Sequence, residues 1–567
     1  MKKGLFILAL FSSLLTIILF LPFSLHLTDG ALNTIDPLFY AWNLSHNADS
    51  FMGGIPAMLN TNIFYPLTNT IAYSDTLWAQ SLLTNPIIWL THNPLLAQNI
   101  AILISFPLSA IFFYLLAHYL TGNTLAAAIG GIFFAFSYPR LAQIGHLPMI
   151  TSQWLSLYIL SLLKFLNVGH RRNFILACLW YVLALTSSLY FGVLLVPATA
   201  VVLVADFLRN HELNLYKSRL AIILPLIIPF VILVTIAVFP YIRLKIEYPD
   251  IRRNLDDVTH LRASPVDYVS VLPTSLVASK ILPKNTSEHA LFPTLTVLSL
   301  ALIGILRSKR KERFFIYTFL GIAFVSFILS LGNEQAFAMG NFSTGSLTLP
   351  YTWLYNLSPL FQTIRVPARF SIFVILSLSA LAAFGIDHLL RKKKKALVYG
   401  AVILFFIEIW QVQTPFITIP PVPRVYQWLM QQPEPMILAE MPVSLFYHGT
   451  KMENQLEKNY TKLHRTDTYA LETYRIYFSS FHKKRMINGY SGFLPDSYNK
   501  LAETMESFPS SYTIDVLQKI GVTHAVVHLW QYTDADRSDI KKALETMPLL
   551  TLTYSDDNDV VYTINKK

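Results

Sequence analysis

Carboxylates that could act in catalysis or metal binding are concentrated in one stretch near the start of the chain. Residues 26–93 contain no Lys or Arg, but they contain the four aspartates Asp29, Asp36, Asp49 and Asp75. Without basic neighbours in sequence, such carboxylates can take a proton from an alcohol or bind a divalent metal ion. The simpler alternative is an interfacial loop with ordinary solvated aspartates, and spacing alone does not separate the two.

A second candidate is a pair of arginines, Arg365 and Arg369, at the predicted start of an apolar helix. In a helix this four-residue spacing puts both side chains on one face, and Pro367 between them suits the first turn. A guanidinium group offers a planar fork of N–H donors that fits phosphate oxygens. The pair therefore predicts a phosphate-binding site, with the alternative that both side chains only reach toward lipid headgroups.

Five further polar residues lie near the predicted extracytoplasmic ends of membrane segments or in a turn, each without a recognised partner motif in sequence. They are Arg140, His146, Glu288, His289 and, in a turn with two glycines, Tyr490. Each by itself is typical of an interfacial side chain or of a structural turn. Histidine and carboxylate side chains can ligate metals, but no recognised ligand spacing accompanies them.

The elements that must position these residues are mostly membrane helices. The chain is 53% hydrophobic and 14% charged, whereas soluble domains carry about 25% charged residues. The sequence therefore predicts an α-helical polytopic membrane protein with about eleven transmembrane helices. Apolar runs suited to crossing a bilayer lie near residues 4–25, 94–120, 123–138, 150–167, 173–187, 190–208, 219–241, 291–306, 314–332, 368–390 and 396–413.

Basic residues fix the expected orientation of these helices, because cytoplasmic loops carry an excess of Lys and Arg. The basic clusters fall at alternate connections: residues 2–3, 170–172, 209–219, 307–313 and 391–395. The N-terminus is then cytoplasmic, and residues 26–93 and the C-terminal region are extracytoplasmic. The formal net charge of +11 belongs to these loops, so no nucleic-acid partner is expected.

Residues 414–567 differ in character from the rest, because long apolar runs give way to interspersed charges. Short apolar runs predict strands near 436–439, 524–528, 549–554 and 560–564, with helical patterns at 510–520 and 535–547. We therefore expect two domains: residues 1–413 in the membrane, with the loop 26–93 carrying the active site, and residues 414–567 as an extracytoplasmic α/β domain. The Pro-rich segment 415–423 predicts an extended spacer between them.

Several motifs together resemble one known family. With them the chain resembles bacterial multi-span proteins classed with the GT-C glycosyltransferases, near the lipopolysaccharide-core and mannosyl transferase groups. The motifs are Asp36 to Trp42, Asn62 to Pro66, Tyr73 to Asp75, Phe134 to Arg140, Gly145-His146, Glu288 to Pro293, Arg365 to Arg369 and Asn488 to Gly492.

The resemblance implies a GT-C-like fold and an enzyme of the bacterial inner membrane. Such an enzyme would take a sugar from a polyprenyl-phosphate donor and pass it to a cell-envelope acceptor on the outer face. Asp36 matches the position of the family's catalytic carboxylate and would act as general base, with Asp75 as a second acid. The two would also hold a divalent metal ion if one takes part. Attack opposite the lipid phosphate would invert the anomeric centre.

Other residues receive roles from the same resemblance. Arg365, Arg369 and Arg140 would bind the donor phosphate. The remaining site candidates are His146, Glu288, His289 and Tyr490, the last of which would help to form an acceptor pocket.

Two other classes of function remain open. A transporter or flippase of a lipid or small solute needs ionisable groups within its spans. Lys164 and Asp206 lie toward span ends, and Glu408 is the clearest deep candidate. The other alternative is a non-catalytic membrane protein of envelope assembly.

Overall fold

The computed structural model describes residues 2–210, 212–249, 251–339, 342–444 and 468–566. Within them the chain is mostly helical. The α-helices are α1 (Lys2–Leu19), α2 (Asp36–Ser50), α3 (Gly54–Leu59), α4 (Trp78–Thr91), α5 (Pro94–Thr121), α6 (Thr124–Ala135), α7 (Tyr138–Leu141), α8 (Leu147–Ile150), α9 (Trp154–Val168), α10 (Arg171–Ser187), α11 (Leu189–Arg209), α12 (Leu213–Glu247), α13 (Leu255–His260), α14 (Leu295–Arg307), α15 (Arg313–Ser330), α16 (Pro350–Leu357), α17 (Ser371–Arg391), α18 (Lys395–Ile409), α19 (Arg424–Met430), α20 (Thr468–His482), α21 (Asp496–Met505), α22 (Ser511–Ile520) and α23 (Asp534–Thr546).

In the described parts of the chain, the strands form three separate sheets. They are β1 (Gly30–Ala31), β2 (Glu334–Met339), β3 (Phe342–Thr348), β4 (Ile417–Thr418), β5 (Ile437–Met441), β6 (Arg485–Met486), β7 (His524–His528), β8 (Leu550–Ser555) and β9 (Asp559–Ile564). β1 pairs with β4 and β2 with β3, and the five others form one sheet in the order β6-β5-β7-β9-β8.

The chain divides into two compact units. Unit 1 consists of residues 1–26, 77–80 and 99–415, and unit 2 consists of residues 27–76, 81–98 and 416–567. Unit 2 therefore groups most of the first loop with the C-terminal region.

Each of the eleven predicted apolar segments coincides with a helix: α1, α5, α6, α9 to α12, α14, α15, α17 and α18. Within the described residues, six stretches are long and apolar enough to cross a membrane. They are Pro94–Thr121, Leu147–Val168, Leu189–Arg209, Leu215–Glu247, Arg310–Ser330 and Pro367–Arg391. Three shorter apolar helices are Lys3–Leu19, Thr124–Ala135 and Leu295–Arg307. The number of eleven spans stays a prediction.

The core of unit 1 is built around α17, which packs against α6, α14 and α15. Two glycines let α14 and α17 approach closely, as small residues do where membrane helices pack. A Cβ atom on Gly304 would lie 2.2 Å from the carbonyl oxygen of Leu381, and one on Gly385 would lie 2.0 Å from that of Leu300. Neither position can hold a larger residue unless the two helices separate.

In unit 2, β5 pairs in parallel with β6 and β7, whereas β9 pairs antiparallel with β7 and β8. One face of the sheet is apolar, with Ala439 and Val527 in a core that α22 and α23 also enter. Because side chains alternate along a strand, Glu440 and His528 belong to the opposite face. β5, β7, β8 and β9 coincide with the four predicted strand segments, and the two-residue β6 was not predicted.

Candidate functional site

A small cavity in unit 1, with a volume of about 30 Å³, collects charged residues from distant parts of the sequence. Arg140, Gln143, Glu288 and Arg369 are among its lining residues. Arg140 lies in α7, Glu288 in the short 3-10 helix Ser287–His289, and Arg369 just before α17. The space is enough for about two water molecules.

Arg369 and Glu288 form a well-aligned ion pair on the cavity wall. Nη2 of Arg369 donates to Oε1 of Glu288 at 2.6 Å, and Nε donates to the same oxygen at 3.1 Å. Gln143 Nε2 donates to Oε2 of Glu288 at 2.8 Å. Burial opposes ionisation of Glu288, but the charge and hydrogen bonds of Arg369 outweigh it and hold the pKa of Glu288 below its ordinary value. The pair therefore fixes the orientation of the Arg369 guanidinium group.

Arg140 is almost fully buried, with 1% of its surface exposed. Its Nε donates to the Ala135 carbonyl oxygen at 3.0 Å, and its two Nη groups donate to Ser152 Oγ and to the Ser105 carbonyl oxygen. These acceptors are neutral, and no carboxylate pairs with Arg140 among the residues that the structure describes. Burial lowers the pKa of Arg140 to about 9, so the group is still charged at neutral pH.

An uncompensated buried charge is costly, and an anion in the adjoining cavity would compensate it. Three of the five N–H donors of Arg140 are used by the neutral acceptors. The cavity beside Arg140 and Arg369 therefore has the charge and the donors of an anion-binding site.

Tyr190, at the start of α11, contacts the segment that carries Arg365 and Arg369. Its ring lies under the Arg369 guanidinium group, 4.6 Å from the ring centre, which is an attractive cation–π geometry. Its hydroxyl accepts the backbone N–H groups of Arg365 at 3.0 Å and Val366 at 3.2 Å.

The predicted shared helix face of Arg365 and Arg369 is wrong. Arg365 is exposed and precedes the 3-10 helix Pro367–Phe370, whose N-cap is Val366. The physical reason is Pro367, because a residue before proline is pushed out of the helical region. Val366 accordingly has φ −121° and ψ 85°.

The two predicted histidines lie beside the same ion pair. The charges of His146 and His289 both act on Glu288 and favour its ionised form. His289 donates from Nδ1 to Asp267 Oδ2 at 2.8 Å, and that hydrogen bond raises the pKa of His289 above its ordinary value. Asp267 is itself held by the backbone N–H of Ser264 at 2.8 Å. Unit 1 therefore brings together Arg140, His146, Glu288, His289 and Arg369.

Four residues of this region were missed from the sequence: Gln143, Tyr190, Arg253 and Asp267. Arg253 follows α12, and its charge interacts with those of Arg365 and Arg369. The sequence signal that could have found Arg253 is its pairing with a second basic residue, Arg252, shortly after the end of an apolar helix.

The predicted catalytic carboxylates lie in unit 2, on or against α2. Asp36 is the first residue of α2 and is half-buried, and Asn33 Oδ1 accepts its backbone N–H at 3.2 Å. The carbonyl oxygen of Asp75 accepts from Asn43 Nδ2 of the same helix at 3.1 Å. Tyr490 packs edge-on against Phe39 of α2, with ring centres 5.8 Å apart. Asp36 therefore lies on α2, and Asp75 and Tyr490 contact the same helix.

No group of three or more His, Cys, Asp or Glu side chains that could hold a metal ion occurs within the part of the chain that the structure describes. Asp36 and Asp75 therefore have no third ligand of these types there.

Residues 11–410 match the model of a family described as a domain of unknown function, DUF6311. This match covers more than half of the 567 residues. The chain belongs to the DUF6311 family. No curated protein sequence matches it.

Several solved structures are similar to this DUF6311 protein. The arabinofuranosyltransferase AftD from Mycobacteria matches with a TM-score of 0.58 and 14% identity, over 100% of this chain and 42% of AftD. ArnT from Cupriavidus metallidurans matches with a TM-score of 0.49 and 14% identity, over 99% of this chain and 98% of ArnT. The archaeal oligosaccharyltransferase AglB from Archaeoglobus fulgidus matches with a TM-score of 0.45 and 13% identity, over 100% and 74%.

The likeness to AftD shows the fold, and the predicted GT-C-like fold is confirmed. The DUF6311 chain spans less than half the length of AftD. The narrower assignment to the lipopolysaccharide-core or mannosyl transferase groups stays a prediction.

Proposed function

We propose that this DUF6311 protein transfers a sugar from a polyprenyl-phosphate donor to a cell-envelope acceptor at the outer face of the membrane. The observation that carries the proposal is the cavity in unit 1 beside Arg140 and Arg369. It occurs on a fold similar to that of AftD, which is an arabinofuranosyltransferase. A lipid-linked sugar donor presents a phosphate group, which would bring negative charge beside these two arginines.

The energetics of Arg140 support a phosphate ligand. A buried ion without a partner costs several kcal/mol, and Arg140 has only neutral hydrogen-bond acceptors in the described residues. A phosphate oxygen would supply the missing negative charge. Arg369, oriented by Glu288 and Tyr190, would add a second charged donor.

The proposed chemistry assigns proton transfer to Asp36 by its match to the family position. The acceptor hydroxyl oxygen attacks the anomeric carbon while Asp36 takes the hydroxyl proton. The bond from the anomeric carbon to the phosphate oxygen breaks, and the lipid phosphate leaves with the electron pair. Attack from the opposite side inverts the anomeric centre. General-base catalysis of this kind contributes roughly 10²–10⁴-fold. Asp75 is the proposed second acid, and Tyr490 would line the acceptor pocket.

The proposal places the protein in the bacterial inner membrane as a multi-pass protein with about eleven spans. Its N-terminus would be cytoplasmic, and residues 414–567 would form an extracytoplasmic α/β domain. The alternating basic clusters in the sequence support this orientation.

A transporter finds less support, because the ionisable residues it would use have structural partners. Asp206 pairs with Arg219, and the Lys164 ammonium group lies over the Tyr119 ring. Glu408 accepts the first backbone N–H groups of α14, from Leu295 at 2.8 Å and from Thr296 at 3.3 Å.

Lipid binding tests the phosphate site. Purified protein in nanodiscs of zwitterionic lipid is titrated with a short-chain polyprenyl phosphate, for wild type and for Arg369→Lys. Lysine keeps the charge but loses the two-pronged geometry, so affinity should fall by roughly 1–3 kcal/mol, the scale of a charged hydrogen bond. Arg307→Lys, exposed at the end of α14, is the matched control and should bind as wild type does.

Two outcomes would contradict the phosphate site. Arg369→Lys and Arg365→Lys could both bind the polyprenyl phosphate as tightly as wild type does, which is the result expected if the side chains only contact headgroups. Alternatively, wild type could show no affinity for the lipid at all.

A further inference from the structure

Two basic loops lie side by side at one end of unit 1. The first loop joins α14 to α15, and the second joins α17 to α18. Glu312 in the first loop is buried, and its Oε1 accepts from Nη1 of Arg391 in the second loop at 3.3 Å. Its Oε2 accepts the backbone N–H of Lys309 at 2.8 Å, so the same carboxylate also shapes its own loop. One buried carboxylate thus joins the two loops.

The two loops carry a large surplus of positive charge. Arg391 pairs with Glu312 and with Asp387, and within the described residues these are the only ion pairs that the ten cations of the two loops form. Ten positive charges and two carboxylates leave a surplus of eight positive charges. The ten cations are all exposed: Arg307, Lys309, Arg310, Lys311, Arg313, Arg391, Lys392, Lys393, Lys394 and Lys395.

Other helix ends meet at the same place. Asn123, the N-cap of α6, donates from Nδ2 to Asp387 Oδ1 at 3.0 Å. The guanidinium group of Arg209, at the end of α11, lies 4.5 Å from the ring centre of Phe314, the second residue of α15. Arg209 also donates to Asn167 Oδ1, near the end of α9, at 2.9 Å. Arg209 is exposed and adds a further cation to this end of unit 1.

These cations lie where apolar helices end. The apolar stretches Arg310–Ser330 and Pro367–Arg391 each have one terminus in the two loops. A cation at the terminus of a helix that crosses a bilayer lies at the level of the lipid headgroups. The 21 residues of α17 extend over about 30 Å, the thickness of the hydrocarbon core. Because Ser371, its first residue, lines the candidate anion cavity, the basic loops lie at the opposite end of α17 from that cavity.

We propose that the exposed cations of residues 307–313 and 391–395 form a binding surface for the anionic headgroups of membrane phospholipids. The surplus positive charges repel one another, and a layer of phosphate groups beside them would offset that repulsion. Each Lys or Arg near an anionic lipid surface contributes about fivefold to binding. In the proposed orientation this surface faces the cytoplasmic leaflet. Headgroup binding at these loops does not depend on the proposed sugar transfer.

Lipid retention by the purified full-length protein tests the headgroup surface. The protein in detergent is mixed with equal amounts of phosphatidylglycerol, which is anionic, and phosphatidylcholine, which is zwitterionic. Lipids that stay bound through gel filtration are quantified by mass spectrometry. Wild type should retain phosphatidylglycerol in roughly tenfold excess or more. This preference should be lost in the fourfold variant Lys392→Gln, Lys393→Gln, Lys394→Gln and Lys395→Gln.

Matched variants guard against an effect of poor folding or of net charge alone. Lys309→Gln with Lys311→Gln, in the other loop, should also reduce the preference. Raising the salt concentration from about 0.1 M to about 1 M shortens the screening length from about 10 Å to about 3 Å and should remove the preference of wild type. The control replaces four exposed lysines of α21, α22 and α23 by Gln and should behave as wild type does: Lys500, Lys519, Lys541 and Lys542.

Four results would overturn the proposal. Wild type could retain the two lipids equally. The control variant could lose the preference as much as the variants of the two loops do, in which case net charge alone explains it. The preference could persist in the variants of both loops, which would assign the headgroups to other residues. Finally, inorganic phosphate or a soluble acidic peptide could displace phosphatidylglycerol readily, which would make the surface a site for a soluble anion.

Discussion

A buried charge network in unit 2 offers a sharp test of how this region is stabilised. His528 on β7 donates from Nδ1 to Asp559 Oδ1 at 2.7 Å, and its Nε2 lies 2.9 Å from Glu440 Oε2. Glu440 also accepts from the Tyr426 hydroxyl at 2.7 Å. Both ring nitrogens face carboxylates, so His528 is held as the charged imidazolium. We predict that His528→Phe, which keeps the ring but removes the charge, strongly destabilises unit 2.

The magnitude follows from burial and from the partners left behind. The side chains of His528, Asp559 and Glu440 are 4%, 7% and 0% exposed. Removing one partner of a buried ion pair costs about 3–5 kcal/mol, because the other charge stays buried. Glu440 keeps the Tyr426 hydroxyl and the buried Arg475 guanidinium group, whose Nε lies 3.7 Å from Oε2, so the loss should lie near the lower end of that range.

The pH dependence has a defined sign. Burial alone would lower the pKa of His528, but the hydrogen bonds to Asp559 and Glu440 raise it above the ordinary value of 6.5. The stability from His528 is therefore full below pH 6.5 and is lost as the pH rises through the raised pKa. Burial raises the pKa of Glu440, but the hydrogen bond and charge of His528, together with the charge of Arg475, outweigh burial and lower the pKa below 4.5. The stability from Glu440 is accordingly full above pH 4.5 and is lost as the pH falls through the lowered pKa.

Hydrogen exchange of the β7 and β9 amides measures the effect within unit 2. A loss of about 3–5 kcal/mol lowers protection by roughly two to four orders of magnitude where exchange requires full opening. The gap between wild type and His528→Phe should narrow as the pH rises above 6.5. The control is His524→Phe on the same strand, where Thr523 Oγ1 is the hydrogen-bond partner at 2.8 Å, with an expected loss of about 1 kcal/mol or less. Equal losses in both variants, or a gap that is constant with pH, would refute the reasoning.

Three further predictions concern unit 1 and the orientation of the chain. Gly385→Ala should destabilise the protein by at least about 1–3 kcal/mol in thermal unfolding because α14 and α17 must separate, whereas Gly400→Ala meets open space and should be harmless. Arg140→Met should leave stability within about 1 kcal/mol of wild type, because it removes a buried charge, but should weaken polyprenyl phosphate binding at least about tenfold. In a variant lacking Cys178, a cysteine at Asn60 should react with an impermeant reagent in intact cells, and one at Lys393 only after lysis; labelling of both from the same side would contradict the orientation.

The helices were predictable because each apolar run carries few charges to interrupt it. The run 368–390 coincides with α17, whose first residue, Ser371, follows the 3-10 helix containing Pro367. The start of α12 was not predictable, since it begins at Leu213 and takes in the four basic or polar residues Asn214, Lys217, Ser218 and Arg219 before its apolar part. Within this extension Arg219 is buried and pairs with Asp206 of α11, a contact that the sequence alone does not reveal.

The candidate site was predictable residue by residue but not as an arrangement. Arg140, Glu288 and Arg369 each stood out by residue type and place. The pairing of Glu288 with Arg369 joins positions 81 residues apart, and spacing along the chain carries no information about such a contact. Tyr190 was missed because its role depends on two backbone N–H groups of another segment.

Turnover of the donor lipid tests the central claim most directly. Purified protein in nanodiscs is given a polyprenyl-phosphate-linked sugar and an extract of cell-envelope acceptors, and the loss of sugar from the lipid is followed by mass spectrometry. Wild type should consume the donor, and Asp36→Asn should lose about 10²–10⁴-fold in rate with unchanged thermal stability. The control Asp49→Asn, which removes only a partly exposed ion pair with Lys483, should keep near-wild-type turnover. Near-normal turnover in Asp36→Asn would remove that residue from the mechanism, and an intact donor in the presence of wild type would contradict the proposed transferase.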